Sequence, residues 1–575
     1  MLEVVFCTFT PYKERRKIMR LYLFRNEDKW ALQHLSELES KKEKAWDRFI
    51  ESLYGVYRWA FDEDIRIVSH RLEDIRREIL RKVGGHPTIS VDPCITGDVN
   101  LGVSRVFLPG GKIEMGIRER PGFPAIEQQI QMIPKGEYVL IEDDIFSGGT
   151  IQKIIDLLIN KEITIRKVVV GIRVGQPQLN VPTESIHNYN PEEVIDLNDP
   201  RDFLAGSYGG GLVVRYPQSR VRVPYILPFV DTAARSSIPR KRVLEFSKKI
   251  WELNLDFYKQ FPKVSIMDVE KYFGTMASRW GFSGETAMSS FCEEMLDLLV
   301  IPPMSFGCSA RNGVIWIDLN GTLITEDSGL LTVDGEELRA MVLEAKECGW
   351  QIGLCSDSPA RPLMHWGEKY GIDGPVIAEN GALLLVYPQK ASLVKEECNV
   401  GSIRRIVEEW AQIHSVPLLP DVVSPEFQES HDTRTDTGVA FGGERIASVS
   451  VFCLKGGAPD DTLATLLHGY LKEYVNADLI NFSEKHGFIA VHGSNPVYAK
   501  GEILRWLGWE LYKEGKYCWM IGNSRNDLTY APVLCPTGLV QHVFSEDIPA
   551  EQIATSSCTQ GVIELIRSII YRHHE

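Results

Sequence analysis

The sequence predicts an α/β protein made of two parallel-sheet units, the second carrying an inserted α+β segment and the first extended by helices. Three observations predict this. Short β-branched runs ("TISV", "YVLI", "KVVVGIRV", "GLVVRY") alternate with helical stretches from about 86 to 230, the pattern of βαβ units. A second series of the same kind opens at "GVIWIDLNGTLI", and the Pro-Pro of "IPPMSFGCSARNG", 301 to 313, separates the two because it cannot continue a helix. At 575 residues the chain is also too long for one core, and about 150 residues per domain gives two to four.

Taken in order, residues 36 to 83 are charge-rich with a helical period and close on Gly-Gly, which predicts an N-terminal helical extension over 1–85. The first α/β unit is expected over 86–235. A second helical stretch and linker follow over 236–311, from "KRVLEFSKKIWELNLDFYKQF" and "AMSSFCEEMLDLLV". The second core is expected over 312–384 and 496–575, with the insert at 385–495. Hydrophobic content of 44% with 25% charged residues fits a soluble globular protein, and a net charge of −15 argues against a protein that coats extended nucleic acid. The start lacks a signal-peptide layout, and no apolar run approaches the roughly 18 to 20 residues that span a bilayer. The 11 cysteines are scattered without a CxxC pair, so reduced thiols and a cytoplasmic location are expected, with no membrane partner.

In "VLIEDDIFSGGTIQKIIDLLI" a buried strand ends at Asp143-Asp144 and a small-residue loop leads into an amphipathic helix expected to begin near Ile151. Ser147, Gly148 and Gly149 let the backbone approach an anion. Thr150 is placed to cap the helix, whose N-terminal N–H groups favour phosphate. Acids beside a phosphate cradle repel the ligand unless it brings hydroxyls or a cation, which fits a phosphorylated ribose with Mg²⁺. A generic βα turn would explain Gly-Gly-Thr alone, but not the whole run in this context. Asp143 to Thr150 resembles, position by position, the 5-phosphoribosyl pyrophosphate (PRPP) signature of the type I phosphoribosyltransferases. The resemblance implies that Asp143 and Asp144 hold the ribose hydroxyls and that Ser147, Gly148, Gly149 and Thr150 hold the 5′-phosphate. It also offers Arg118 and Arg120, in "GIRERPGFPAIEQQI", as pyrophosphate contacts, against the ordinary reading of exposed basic residues. "PCITGDVNLGVSRV" and the Gly-rich "DFLAGSYGGGLVVRY" are looser candidates for its pyrophosphate loop and base-binding hood.

The second series ends a strand at Asp318, where a carboxylate can attack phosphorus and form an acyl-phosphate. In order there follow Ser356 at a strand end, able to hydrogen-bond a phosphate oxygen, and Lys500, a cation to offset charge. Asn523 and Asp527 come last, oxygen donors suited to Mg²⁺ together with Asp318. These residues resemble the four motifs of the haloacid dehalogenase superfamily of phosphohydrolases. "YGIDGPVIAENGALLLV" resembles the members with a large C2-type cap, which act on sugar phosphates and related metabolites. The resemblance implies two Rossmann-like cores, the second with its cap at 385–495. Two carboxylates of the family pattern are amides here. Asn320 stands where the general acid and base is usual, and Asn523 opens the fourth motif. An amide cannot shuttle a proton, and general acid catalysis contributes about 10² to 10⁴-fold.

Together the resemblances imply a bifunctional enzyme. It would join PRPP to a small base-like acceptor and then remove the 5′-phosphate from the phosphorylated product, with Mg²⁺ as cofactor and a homodimer as the expected assembly. The combination is similar to transferase–phosphatase fusions associated with bacterial tellurite-resistance and stress gene clusters. The two amides leave open a PRPP- or nucleotide-sensing regulator, or a nucleotide-depleting stress effector.

Overall fold

The structure, a computed structural model, describes residues 20–26, 32, 35, 39–111, 114–216, 219–301, 308–325, 329–386, 390–393, 398–422, 436–443, 445–541 and 550–573. The start of the N-terminal extension and the Pro-Pro of the expected linker lie outside these residues. The chain divides into two compact units. The first comprises 1–105, 117–211 and 236–242, and the second 106–116, 212–235 and 243–575.

In the first unit five parallel strands form a sheet in the order Val99–Asn100, Thr88–Ser90, Gly136–Ile145, Ile163–Val174 and Thr183–Tyr189. Strand alternation puts Val139 and Ile141 on one face with Ile75 and Ile79 of the helix Leu72–Val83. Leu140 faces the other way, onto Ile154 and Ile155 of the helix Gly149–Ile159. Both faces are thus buried, as parallel sheets require. A second, three-stranded parallel sheet joins Val194–Asn198, Arg20–Asn26 and Ile65–Arg71. The region expected to be a helical extension therefore contributes two strands beside its helices Glu39–Ala60 and Leu72–Val83. The strand Ile65–Arg71 carries polar residues at both half-exposed and exposed positions, which masks its period of two.

The second unit takes in more of the early chain than its order suggests. The hairpin Leu212–Arg215 and Arg220–Val223 and the helices Val243–Lys259, Lys271–Arg279 and Met288–Leu298 belong to it rather than to the first unit. Its main sheet has eight strands in the order Lys390–Leu393, Leu383–Val386, Val376–Ala378, Trp350–Cys355, Gly313–Ile317, Tyr517–Gly522, Thr537–Leu539 and Gln552–Ile553. The six strands from Val376–Ala378 to Gln552–Ile553 pair in parallel, and Ile317 lies in register with both Leu354 and Ile521. That register brings the ends of three strands level. A separate antiparallel sheet (Gly438–Phe441, Val449–Lys455, Phe488–Val491, Ile480–Ser483) carries the helices Val400–Ile413 and Asp461–Leu471 over a core containing Trp410, Val451 and Leu467.

On the first unit's second sheet, His70 is half-buried, its Nε2 is 2.7 Å from the Tyr189 hydroxyl, and its ring lies 4.1 Å from that of His187. Burial first, and His187 second, push its pKa from 6.5 down to about 4. The folded protein keeps His70 neutral where the unfolded chain binds a proton, so stability is lost as pH falls from about 6.5 to about 4. His70→Gln should flatten the fall in urea midpoint across that window relative to wild type.

Candidate functional site

The strand Gly136–Ile145 runs buried to Asp143 and Asp144, and the turn that follows needs Gly148. Gly148 has φ 81, which L side chains rarely adopt, and a Cβ there would sit tightly at 3.0 Å from Leu179 and 3.1 Å from Pro177. The helix starts at Gly149 with Gly148 as its N-cap and no side-chain cap. Thr150 is therefore inside the first turn rather than capping it, because the left-handed glycine ends the loop two residues earlier than expected. The first N–H groups of an apolar, 11-residue helix then lie beside exposed Ser147 and Gly149.

The acids are not free. Arg25, from the end of the strand Arg20–Asn26, pairs through Nη1 with Asp143 Oδ2 and lies 3.1 Å from Asp144 Oδ2. Asp143 Oδ1 accepts from the Asp144 N–H at 2.8 Å. Burial would weaken the Arg25 cation, but Asp144, Asp199 and Asp92 hold it protonated above its ordinary range. Nearby, Arg201 binds Asp199 through Nε at 2.9 Å and Nη2 at 2.5 Å. Of the two arginines expected to meet pyrophosphate, Arg120 turns its Nη2 onto the carbonyls of Val91 at 3.1 Å and Val103 at 3.0 Å. Its guanidinium is tied to main chain that the charge pattern could not reveal. Arg118 is exposed and donates to the neighbouring Ile117 carbonyl at 3.1 Å. Nothing in the local sequence marked Arg25.

At the second site the level strand ends converge. Asp318 follows Ile317, and its own N–H donates to the Ile521 carbonyl at 2.9 Å, locking it to the neighbouring strand. Lys500, on the helix Pro496–Lys513, places Nζ 2.8 Å from Asp318 Oδ1 and 3.0 Å from Asp527 Oδ1. All three are buried, at 5%, 5% and 0% exposure for Asp318, Lys500 and Asp527. Burial pushes the Asp318 carboxyl up to about 6 against the pull of Lys500, and Asp527 adds to the rise. Burial works against the lysine too, but its two carboxylate partners outweigh it and hold the ammonium well above its usual range. Asp527 Oδ2 accepts from Asn523 N at 3.0 Å, Ser524 N at 3.1 Å and Ser524 Oγ at 3.0 Å. Gly522 makes room for that turn, since a Cβ there would lie 2.3 Å from the Asp527 side chain.

Ser356 is buried at the end of the strand Trp350–Cys355, 3.3 Å from the hydroxyl of Ser358. Exposed Asn320 donates from Nδ2 to that Ser358 hydroxyl at 3.1 Å, and Thr322 donates to Asp318 Oδ2 at 3.3 Å. Thr322 and Ser358 were legible beside Asp318 and Ser356 but carried no signal of their own. Glu379, in the "AENGALL" run, is buried at φ 48 and accepts from Ile446 N, Ala447 N, Ser448 N and Ser448 Oγ at 2.7 to 2.9 Å. That carboxylate fixes the turn bearing Arg445, whose Nη1 lies 3.3 Å from Asp357, directly after Ser356. The sequence marks neither Glu379 nor Arg445, because their partners are distant along the chain.

Residues 315–420 match the sequence model of the haloacid dehalogenase-like hydrolases. The C-terminal half contains a hydrolase domain of that family. Solved structures similar to this chain include a haloacid dehalogenase-like hydrolase from Bacteroides thetaiotaomicron (15% identical, covering 45% of this chain and 100% of that one, TM-score 0.33). Another is a trehalose-6-phosphate phosphatase from Aspergillus fumigatus (15%, 46% and 94%, TM-score 0.29). A hypoxanthine/guanine phosphoribosyltransferase of Methanohalobium evestigatum is 28% identical over 137 residues, 22% of this chain and 72% of that protein. No helix among the described residues is long and apolar enough to cross a membrane.

Removing a carboxylate that serves two buried N–H groups, of Ala447 and Ser448, and the part-buried one of Ile446 leaves them unpaired, at about 1–3 kcal/mol for each buried group left without a partner. Glu379→Ala should therefore lower the melting temperature of the hydrolase half more than Ser448→Ala does. Differential scanning calorimetry of the full chain checks this ordering.

Proposed function

We propose that the protein is a two-step enzyme: its first unit transfers phosphoribosyl from PRPP to a base-like acceptor, and its hydrolase domain removes the 5′-phosphate to leave a nucleoside-like product. The observation that carries the reading is the Asp318–Lys500–Asp527 triangle, a buried carboxylate held beside one ammonium at a strand end. Support for the first step is the Asp143–Thr150 turn and the similarity to a phosphoribosyltransferase whose name specifies hypoxanthine and guanine, which favours a purine-like acceptor here. Joining the two steps raises the effective concentration of the intermediate at the second site.

In the hydrolase step, Asp318 attacks phosphorus and the bond from phosphorus to the sugar 5′-oxygen breaks, the departing alkoxide taking its proton from solvent water, while Lys500 offsets the charge of Asp318 against that of the phosphate. Ser356 donates to a phosphate oxygen, and water then cleaves the acyl-phosphate. Mg²⁺ suits the oxygen-only donors Asp318, Asp527 and Asn523, and two carboxylates against one ammonium leave a net negative charge for it. Among the described residues no three His, Cys, Asp or Glu side chains form a metal-binding group, so the third donor would be the Asn523 amide. When bound, the ion would draw charge from the phosphoryl oxygens. In the transferase step, the loop and the helix start at Gly149 hold the 5′-phosphate, and an acid of the 143–144 pair holds the sugar.

Asn320 cannot protonate a leaving alkoxide. Wild type should therefore hydrolyse p-nitrophenyl phosphate, whose leaving group needs no proton, far faster than a nucleoside 5′-monophosphate. Asn320→Asp should narrow the gap by raising the monophosphate rate about 10²-fold, and Asp318→Asn should abolish both activities. Phosphate release measures this, with pyrophosphate release from PRPP and purine bases as the companion assay. A second reading, a PRPP- or nucleotide-responsive regulator or nucleotide-depleting effector, draws on the amides at 320 and 523 and the Arg25 pairing. Wild type inert in both assays, with activity appearing only in Asn320→Asp, would favour the regulator. Nucleotide pools falling on overexpression would favour the effector.

A further inference from the structure

Arg25 divides the work of the two acids unequally. Asp143 has both oxygens engaged, Oδ1 by the Asp144 N–H at 2.8 Å and Oδ2 by Arg25, and its side chain is only 5% exposed. Asp144 touches Arg25 through Oδ2 alone, at 3.1 Å, and its side chain is 24% exposed. The arginine is fixed in place. Its strand is the middle one of three, with Arg25 in register with His70 on one side and Phe24 with Asn198 on the other. Arg201 cannot take over, because Asp199 already occupies it through Nε and Nη2.

We propose that Arg25 takes Asp143 out of sugar recognition, leaving Asp144 as the one carboxylate that meets a ligand hydroxyl, so that the site accepts pentose 5-phosphates lacking a ring hydroxyl. This rests on reading the 147–150 turn as a phosphate-sugar site. The physical reason is the cost of unpaired groups. A site whose buried acids depend on sugar hydroxyls rejects a deoxy sugar strongly, because an acid is left without a partner. Here the buried acid keeps its partners whatever the ligand, and the partly exposed one can turn to water. Losing one hydroxyl then costs at most one ordinary hydrogen bond.

Isothermal titration of the full chain with ribose 5-phosphate and 2-deoxyribose 5-phosphate tests this. The two Kd values should lie within about tenfold of each other. Asp144→Asn should weaken both ligands. Arg25→Met, which frees Asp143 and makes it depend on the ligand, should widen the ratio to about 10²-fold or more. Should that variant fail to fold, the wild-type ratio decides alone. Ribose 5-phosphate bound with the deoxy sugar rejected by 10²-fold or more in wild type would overturn the assignment to Arg25 and leave the phosphate-sugar reading standing. If wild type binds neither sugar phosphate, both fall.

Discussion

One ammonium between two buried carboxylates is the constraint on which the hydrolase half is built. Asp318 lies at one strand end and Asp527 in the turn that follows the neighbouring strand, where alone they would repel each other and lose hydration. At an effective dielectric near 20, each contact with Lys500 at about 4 Å or less is worth about 4 kcal/mol, of the same order as the penalty for burying an ion. The cluster is therefore poised rather than strongly stabilising. It holds only because the parallel register sets Ile317 level with Leu354 and Ile521, and because the helix Pro496–Lys513 delivers Lys500 at that height. A one-residue slip would turn Asp318 to the other face.

The first unit meets the same difficulty in the same way. A strand ends in two acids, and a distant cation, Arg25, compensates them. The difference is mobility of role. Lys500 contacts one oxygen of each acid at similar distances, and among the described residues Asp318 Oδ2 accepts from the Thr322 hydroxyl. Arg25 saturates one acid and spares the other. Asp318 thus keeps one oxygen clear of the ammonium, whereas Asp143 has both oxygens paired and Asp144 meets Arg25 through one.

This contrast also explains what the sequence made legible. Strand, acids and small-residue turn are contiguous, so their chemistry can be read locally, and both strand ends were found that way. Lys500 lies 182 residues from Asp318, yet a Lys-Gly pair in its place among ordered motifs gave it away. Arg25 had no such frame: the strand that carries it sits among charged residues whose helical period dominates the region. Thr150 departs from its expected capping place for a different cause: the capping preference of threonine is real, but a left-handed Gly148 ends the loop first. Arg120 looked like an anion contact because a formal charge is visible in sequence and its carbonyl partners are not.

Nor does the chain order reveal how the units interleave. Asp231, fully buried, accepts from the Tyr512 hydroxyl at 2.5 Å, and its own N–H donates to the Gly110 carbonyl at 2.8 Å. Tyr512 belongs to the helix that carries Lys500, while Gly110 and Asp231 come from the early segments 106–116 and 212–235. A Cβ on Gly110 would approach the Pro532 carbonyl to 3.3 Å, so these segments pack tightly on the hydrolase half. A cut at the Pro-Pro of 302–303 would strip that half of buried partners it cannot replace from its own sequence. The hydrolase core is thus completed by the segments 106–116 and 212–235, which precede and follow the Asp143–Thr150 turn in sequence.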